Sequence, residues 1–232
     1  VYIMDKQLLE MSSKGNLSEV QILIDKGANP NAAKSNGETA LMGASRGGYL
    51  KVAKVLLDRG ADPNAARTDN GYTALMGASQ GGHLEVVEEL IIRGAYPNAA
   101  RTDNGYTAMT SASEYGHLDV VNMLLKGGAD PTHRCAGEWR PRGFTVLMGA
   151  SKYGRLEVVK VLLERKADPN AVKTNGETAL MIASGYGRLE VAKVLLDQGA
   201  DPNAVRRDGY TPLMLASQDG YLEIVKELII RG

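Results

Sequence analysis

A nine-residue string, Gly71-Tyr72-Thr73-Ala74-Leu75-Met76-Gly77-Ala78-Ser79, constrains this chain more than any other feature, because close copies begin at Gly37, Gly105, Gly143, Gly176 and Gly209. Successive starts lie 34, 34, 38, 33 and 33 residues apart. A period of that length means a stack of small supersecondary units. Such units bury their apolar faces against neighbours rather than around one centre. The 232 residues are therefore expected to form one elongated domain, divided roughly as 5–35, 36–69, 70–103, 104–141, 142–174, 175–207 and an incomplete 208–232.

Within a regular unit, Thr39 is placed to N-cap a helix of about two turns that runs from Ala40 to Ser45 and breaks at Gly47-Gly48. Leu50, Val52, Ala53, Leu56 and Leu57 then make an apolar stripe on a second helix, with Lys51, Lys54 and Asp58 on its outer side. Gly60 ends that helix as a left-handed cap. A loop of the form Ala61-Asp62-Pro63-Asn64-Ala65 follows, repeated around Pro30, Pro169 and Pro202, where proline and asparagine set a turn. The first unit departs from this pattern: Lys6, Gln7, Glu10 and Ser13 interrupt its apolar face, as a terminal cap requires. In the last unit Leu228, Ile229 and Ile230 keep the internal apolar pattern, which raises the expectation of further sequence beyond Gly232.

These residues resemble the ankyrin repeat, whose pattern is a Gly-x-Thr-Pro-Leu-His-x-Ala-Ala helix, a Gly-His turn, a Val-Val-x-x-Leu-Leu helix and a Gly-Ala-Asp-Val-Asn-Ala hairpin. The resemblance covers essentially residues 5–232, and Thr211-Pro212-Leu213 carries the family proline. It implies an all-α solenoid of about seven helix-turn-helix units with protruding hairpins. The departures are systematic. Methionine replaces the family histidine at Met42, Met76, Met148, Met181 and Met214, and Thr110 replaces it once. A flexible thioether suits irregular space between stacked helices. Lys166 replaces the helix-ending glycine, and its side chain makes a left-handed backbone costly there.

The function classes narrow by composition. Lys and Arg number 27 and so do Asp and Glu, a balance that argues against nonspecific nucleic-acid or anionic-membrane binding. The single Cys135 forms no internal disulfide, no apolar run of about 18 residues is present, and Val1-Tyr2-Ile3-Met4 lacks the features of a secretory signal. A reducing intracellular compartment such as the cytoplasm is expected. His83 and His117 fall in the Gly-His turn, His133 stands alone, and no nucleophile-base pair, zinc spacing or phosphate loop is recognisable. Neither catalysis nor a cofactor is expected.

The resemblance implies partner binding along a concave face made by the hairpin tips and first helices. The position after the motif glycine is Glu38, Tyr72, Tyr106, Phe144, Glu177 or Tyr210, and the position at the inter-helix turn is Gly47, Gly81, Tyr115, Tyr153, Tyr186 or Asp219. Tyrosine columns supply contact area with a hydroxyl handle at modest entropy cost. For the first column, packing against the hairpins is an equal alternative. A basic column runs through the hairpins at Lys34, Arg67, Arg101, Lys173 and Arg206, with Arg134 placed to join it, and either recruits an acidic segment or is offset by Asp69, Asp103 and Asp208. The lengthened segment 132–142 holds Trp139 beside Arg140 and Arg142, either as a binding loop or as a tolerated insertion.

The expectation is thus a monomeric, non-catalytic module for a protein or peptide partner, with acidic partners favoured. The candidate contacts are Arg67, Tyr72, Arg101, Tyr106, Tyr115, Arg134, Trp139, Phe144, Tyr153, Lys173, Tyr186 and Tyr210. The alternatives are a sensor of a small anionic or nucleotide-like ligand, and a targeting segment of a larger effector or enzyme.

Overall fold

A computed structural model describes residues 2–137 and 140–232, with the side chains of Tyr2, Arg140 and Pro141 left aside. Among these residues the chain forms helices α1 (Tyr2–Ser13), α2 (Leu17–Asp25), α3 (Ala40–Arg46), α4 (Leu50–Asp58), α5 (Ala74–Gly81), α6 (Leu84–Ile92), α7 (Ala108–Tyr115) and α8 (Leu118–Lys126). Strands β1 (Arg134–Gly137) and β2 (Arg140–Thr145) follow. Then come α9 (Val146–Lys152), α10 (Leu156–Glu164), α11 (Ala179–Gly185), α12 (Leu189–Asp197), α13 (Pro212–Gln218) and α14 (Leu222–Arg231). No helix among them is long and apolar enough to cross a membrane.

Two compact units are distinguished. The first holds the chain as far as Ala112 together with Asp119–Ala129, and the second holds Ser113–Leu118 and Asp130–Gly232. In the first, the short helices stack as a row, α3 between α1 and α5, while α4 packs between α2 and α6 in a second row. In the second unit α11 packs between α9 and α13, and α12 between α10 and α14. Each motif therefore supplies one helix to each row. The core is the seam between rows, filled by residues such as Leu41, Met42, Val52 and Leu56 in the first unit and Leu147, Met148, Val159 and Leu162 in the second.

Local chemistry starts and stops each helix as the residues require. Thr39, Thr73, Thr145, Thr178 and Thr211 have extended backbones, and their hydroxyls accept from the N–H of Met42, Met76, Met148, Met181 and Met214 at 3.2–3.4 Å. Each such cap contributes on the order of 1 kcal/mol. The thioethers of Met42, Met76, Met148 and Met181 are fully enclosed, whereas Met214 is 53 % exposed because no further repeat among the described residues lies on it. Thr110, in the same slot, is buried beside Thr107 with the two hydroxyls 3.1 Å apart, so there a polar link replaces the methionine.

Asparagines of the hairpins join consecutive units. Asn64 Nδ2 donates to Gly94 O at 2.9 Å while its Oδ1 accepts from Tyr96 N at 2.7 Å. Asn31 does the same with Gly60 and Asp62, and Asn170 with Gly199 and Asp201. Each amide thus satisfies a carbonyl left over at the end of the next second helix, a task that turn propensity alone does not reveal.

The lengthened segment differs from the irregular loop expected. β1 and β2 form an antiparallel ribbon with Arg134 opposite Thr145 and Cys135 opposite Phe144, and with an irregularity between Cys135 and Gly137. Cys135 and Phe144 point inward and are buried, while Arg134, Ala136 and Arg142 lie outside, the alternation of a half-buried strand. Other hairpins reach only single bridges, Ala33 to Thr39 and Ala66 to Thr73. The extra residues let this one hairpin extend its pairing.

Two stability consequences follow. Lys166 has φ 66°, where Gly60, Gly94 and Gly199 stand in the equivalent position at 83–86°. Relief of the side-chain clash should make Lys166→Gly more stable by about 1 kcal/mol, and a lower urea midpoint would contradict it. The hydroxyls of Ser12, Ser45, Ser79, Ser113, Ser151 and Ser184 are buried without a hydrogen-bond partner among the described residues. Removing such an unpaired hydroxyl in Ser79→Ala is expected to add about 1 kcal/mol. A loss of stability in the same unfolding measurement would show that the hydroxyl is satisfied in solution.

Candidate functional site

The inter-helix turns decide which rings face outward. In the first unit the slot before the turn is Gly47 or Gly81, because a Cβ there would sit 2.3 Å from the Tyr49 ring and 2.4 Å from His83 Nε2 respectively. His83 in turn lies against the previous repeat, its Nε2 3.1 Å from Arg46 O, which gives it a structural task. In the second unit the residue after the turn is an arginine at two of four places. Arg155 Nε donates to Glu114 O at 2.9 Å and Arg188 Nε donates to Lys152 O at 3.0 Å. A long side chain reaching backwards frees the slot, and tyrosine occupies it.

Tyr115, Tyr153 and Tyr186 are 52 %, 40 % and 48 % exposed. Tyr115 ends α7 and its ring stacks on His117, centroids 6.1 Å apart and planes 6° from parallel. Tyr153 and Tyr186 cap α9 and α11, and their N–H groups close the last turns. The Lys152 ammonium lies 5.3 Å from the Tyr153 ring centroid and 5.2 Å from that of Tyr186. Among the described residues no carboxylate lies within salt-bridge distance of Lys152. Two phenols thus flank a cation whose charge is not neutralised, an arrangement held by cation–π attraction.

The other aromatic column serves packing to a greater degree. Tyr72, Tyr106 and Phe144 are only 9 %, 8 % and 3 % exposed. Arg101 lies over the Tyr72 ring at 5.7 Å, and Lys173 over Phe144 at 6.0 Å. Burial pushes the Tyr72 phenol above its ordinary pKa. Tyr210 is more open at 37 %, with Arg206 above its ring at 4.9 Å. Where the same slot holds glutamate, the cation forms an ion pair instead. Glu38 meets Lys34 and Arg46 at 2.8 Å each, and Glu177 meets Lys173 and Arg206. Burial works against ionisation of Glu38, but hydrogen bonds from Lys34 and Arg46 outweigh it and hold its carboxyl below the ordinary range.

Most of the basic hairpin column is likewise neutralised from within. Arg67 Nε donates to Asp69 at 3.0 Å, Arg101 Nε to Asp103 at 2.9 Å and Arg206 Nε to Asp208 at 2.7 Å. These bonds hold all three carboxyls below the usual aspartate range. The carboxylate offset is therefore the arrangement found at these three arginines. Arg134 is different: it is exposed, and among the described residues its Nη1 reaches Val172 O at 3.4 Å. Trp139 lies outside the described residues. Lys152, the cation between two exposed rings, went unread in the sequence. Its signal was only that it immediately precedes Tyr153, which stands one period before Tyr186.

Comparison with known proteins follows the repeats. A family profile described as Ankyrin repeats (3 copies) matches residues 8–67, 64–135 and 147–232. The crystal structure of the human ASB11 ankyrin repeat domain aligns over 97 % of both chains, at 28 % identity and a TM-score of 0.84. Among curated proteins no sequence match is found.

The hairpin pairs carry a pH signature. A carboxyl with a depressed folded pKa stabilises the fold above its unfolded value, about 3.9 for aspartate, and loses that contribution as pH falls through the lower folded value. Carboxyl NMR titration should therefore place Asp69, Asp103 and Asp208 below about 3.9, with Asp69 returning toward it in Arg67→Gln. Ordinary midpoints in the wild type would mean that the pairs do not persist in solution.

Proposed function

The chain belongs to the ankyrin-repeat family, and on that footing we propose that it is a non-catalytic module that binds a protein or peptide through Tyr115, Tyr153 and Tyr186. Ankyrin-repeat domains generally mediate protein–protein interaction, and the surface residues around the common motif choose the partner. The observation that carries the reading is the half-exposed Tyr153–Lys152–Tyr186 arrangement, with Tyr115 in the same slot of another repeat.

The chemistry points to an acidic partner segment with apolar neighbours. Tyrosine offers large contact area for few frozen torsions, and its hydroxyl donates to carboxylates. Lys152 supplies the charge that such a carboxylate would neutralise. On this reading the buried rings Tyr72, Tyr106 and Phe144 serve packing within their own repeats, and Tyr210 is the more open member of that column. Arg67, Arg101 and Lys173, already paired with their own carboxylates, contribute shape more than charge.

Exposed side chains are removed at little cost to the fold, usually within about 0.5 kcal/mol each. The Tyr115→Ala/Tyr153→Ala/Tyr186→Ala variant should keep the wild-type circular dichroism and lose the principal proteins captured from lysate of the source cells. Lys152→Gln should weaken the same capture and reduce its dependence on salt. Identical captured proteins for the wild type and the triple variant would overturn the assignment.

A further inference from the structure

The second unit holds a cleft of about 400 Å³ lined by Arg134, Arg142, Lys173 and Arg207. Its floor is backbone from successive hairpins. Thr174 N donates to Arg142 O at 2.8 Å, and Arg207 N to Asn175 O at 2.9 Å. Gly143 lets the ribbon approach closely: at φ 91°, a Cβ there would meet Val172 O at 2.9 Å. The cleft is thus framed by hydrogen-bonded main chain rather than by free loops.

Its charge departs from the arrangement found at three other hairpin arginines. Arg67, Arg101 and Arg206 each carry an aspartate two residues on that neutralises them. Two residues beyond Arg134, Arg142 and Arg207 stand Ala136, Phe144 and Gly209. Among the described residues no carboxylate pairs with these three guanidiniums, and Lys173 alone has one, Glu177. Two of the three also replace structural residues. Arg142 occupies the position of Asn36, Asn70, Asn104 and Asn175, whose side chains accept a hydrogen bond from the backbone two residues on. Arg207 occupies that of Thr68, Thr102 and Thr174. Turn chemistry is given up at one site and a neutral residue at the other, and both changes place on the same cleft a cation that pairs with no carboxylate among the described residues.

Like charges gathered in this way repel, and a dianion with several acceptor oxygens relieves the repulsion while guanidiniums bind it bidentately. We infer that this cleft is a phosphate-recognition site for a phosphorylated side chain on an extended peptide. The peptide is favoured because the arginines are spread along successive hairpins over an open backbone floor, with Val172 exposed, so that a chain lying across the hairpins meets all of them. The inference rests on the partner-binding reading but uses a surface other than the tyrosines.

The test is an NMR amide titration of the full chain with acetyl-Ala-Ala-phosphoSer-Ala-Ala-amide, its unphosphorylated counterpart, inorganic phosphate and a single-stranded thymidine dodecamer. The phosphopeptide should move the signals of Thr174, Gly176 and Arg207 and bind at least about tenfold tighter than the serine peptide. Arg142→Asn/Arg207→Thr restores residues that other hairpins already carry, so it should keep the fold and lose about tenfold or more in phosphopeptide affinity. The triple tyrosine variant should retain the response, which separates this site from the column. Equal affinity of the wild type and the arginine variant, shifts located elsewhere, or no shift at all would overturn the site. Tighter binding of inorganic phosphate or of the dodecamer than of the phosphopeptide would overturn its assignment to a peptide.

Discussion

The stacking of this chain follows from one constraint: two short helices and a hairpin have too little apolar surface to enclose a core. Burial is available only on the face of a neighbouring repeat. The constraint explains why Met42, Met76, Met148 and Met181 are enclosed while Met214, chemically identical and capped by the same threonine geometry, is half-exposed. It also explains the asparagines. A repeat that relies on its neighbour for burial needs register, and Asn31, Asn64 and Asn170 supply it by holding the carbonyl and N–H groups of the next helix end.

Repetition then makes the exceptions informative. Because each slot is sampled several times, a change at one repeat can be read against copies in nearly the same environment. The slot after the motif glycine alternates between a ring beneath a cation and a glutamate paired to one, two solutions to the same need to hold a hairpin cation in place. The turn slot alternates between glycine, where a neighbouring ring fills the space, and tyrosine, where an arginine or a stacked histidine leaves it open. Both alternations are internal to the scaffold. What they leave over is Lys152 between two rings and the arginines around Val172, which have no carboxylate partner among the described residues.

Much of the fold was legible in the primary structure because helix signals here are local. Threonine caps, glycine breaks and the 3.6-residue stripe each act within a few residues, so Thr39, Gly60 and the Leu50–Leu57 face behaved as their chemistry required. Even the left-handed backbone of Lys166 was readable, since its place in the period demands it. The ribbon at 134–145 was not, because strand pairing joins residues across a turn and nothing local distinguishes it from an irregular loop.

The candidate surface divides the same way. That tyrosines and basic residues form columns is a property of the period, and the amino-acid order determined it. Which members of a column are free is a property of neighbours. Tyr72 and Tyr210 stand in the same column, yet the first ring is buried and the second is partly open to solvent. Arg67 and Arg134 are both hairpin arginines, yet among the described residues only the first is paired with an aspartate. The sequence by itself determined the repeat, its helices and their caps, because those interactions span a few residues. Only the tertiary structure decided which side chains remain unspent, because enclosure and charge pairing depend on atoms brought together from different turns and repeats.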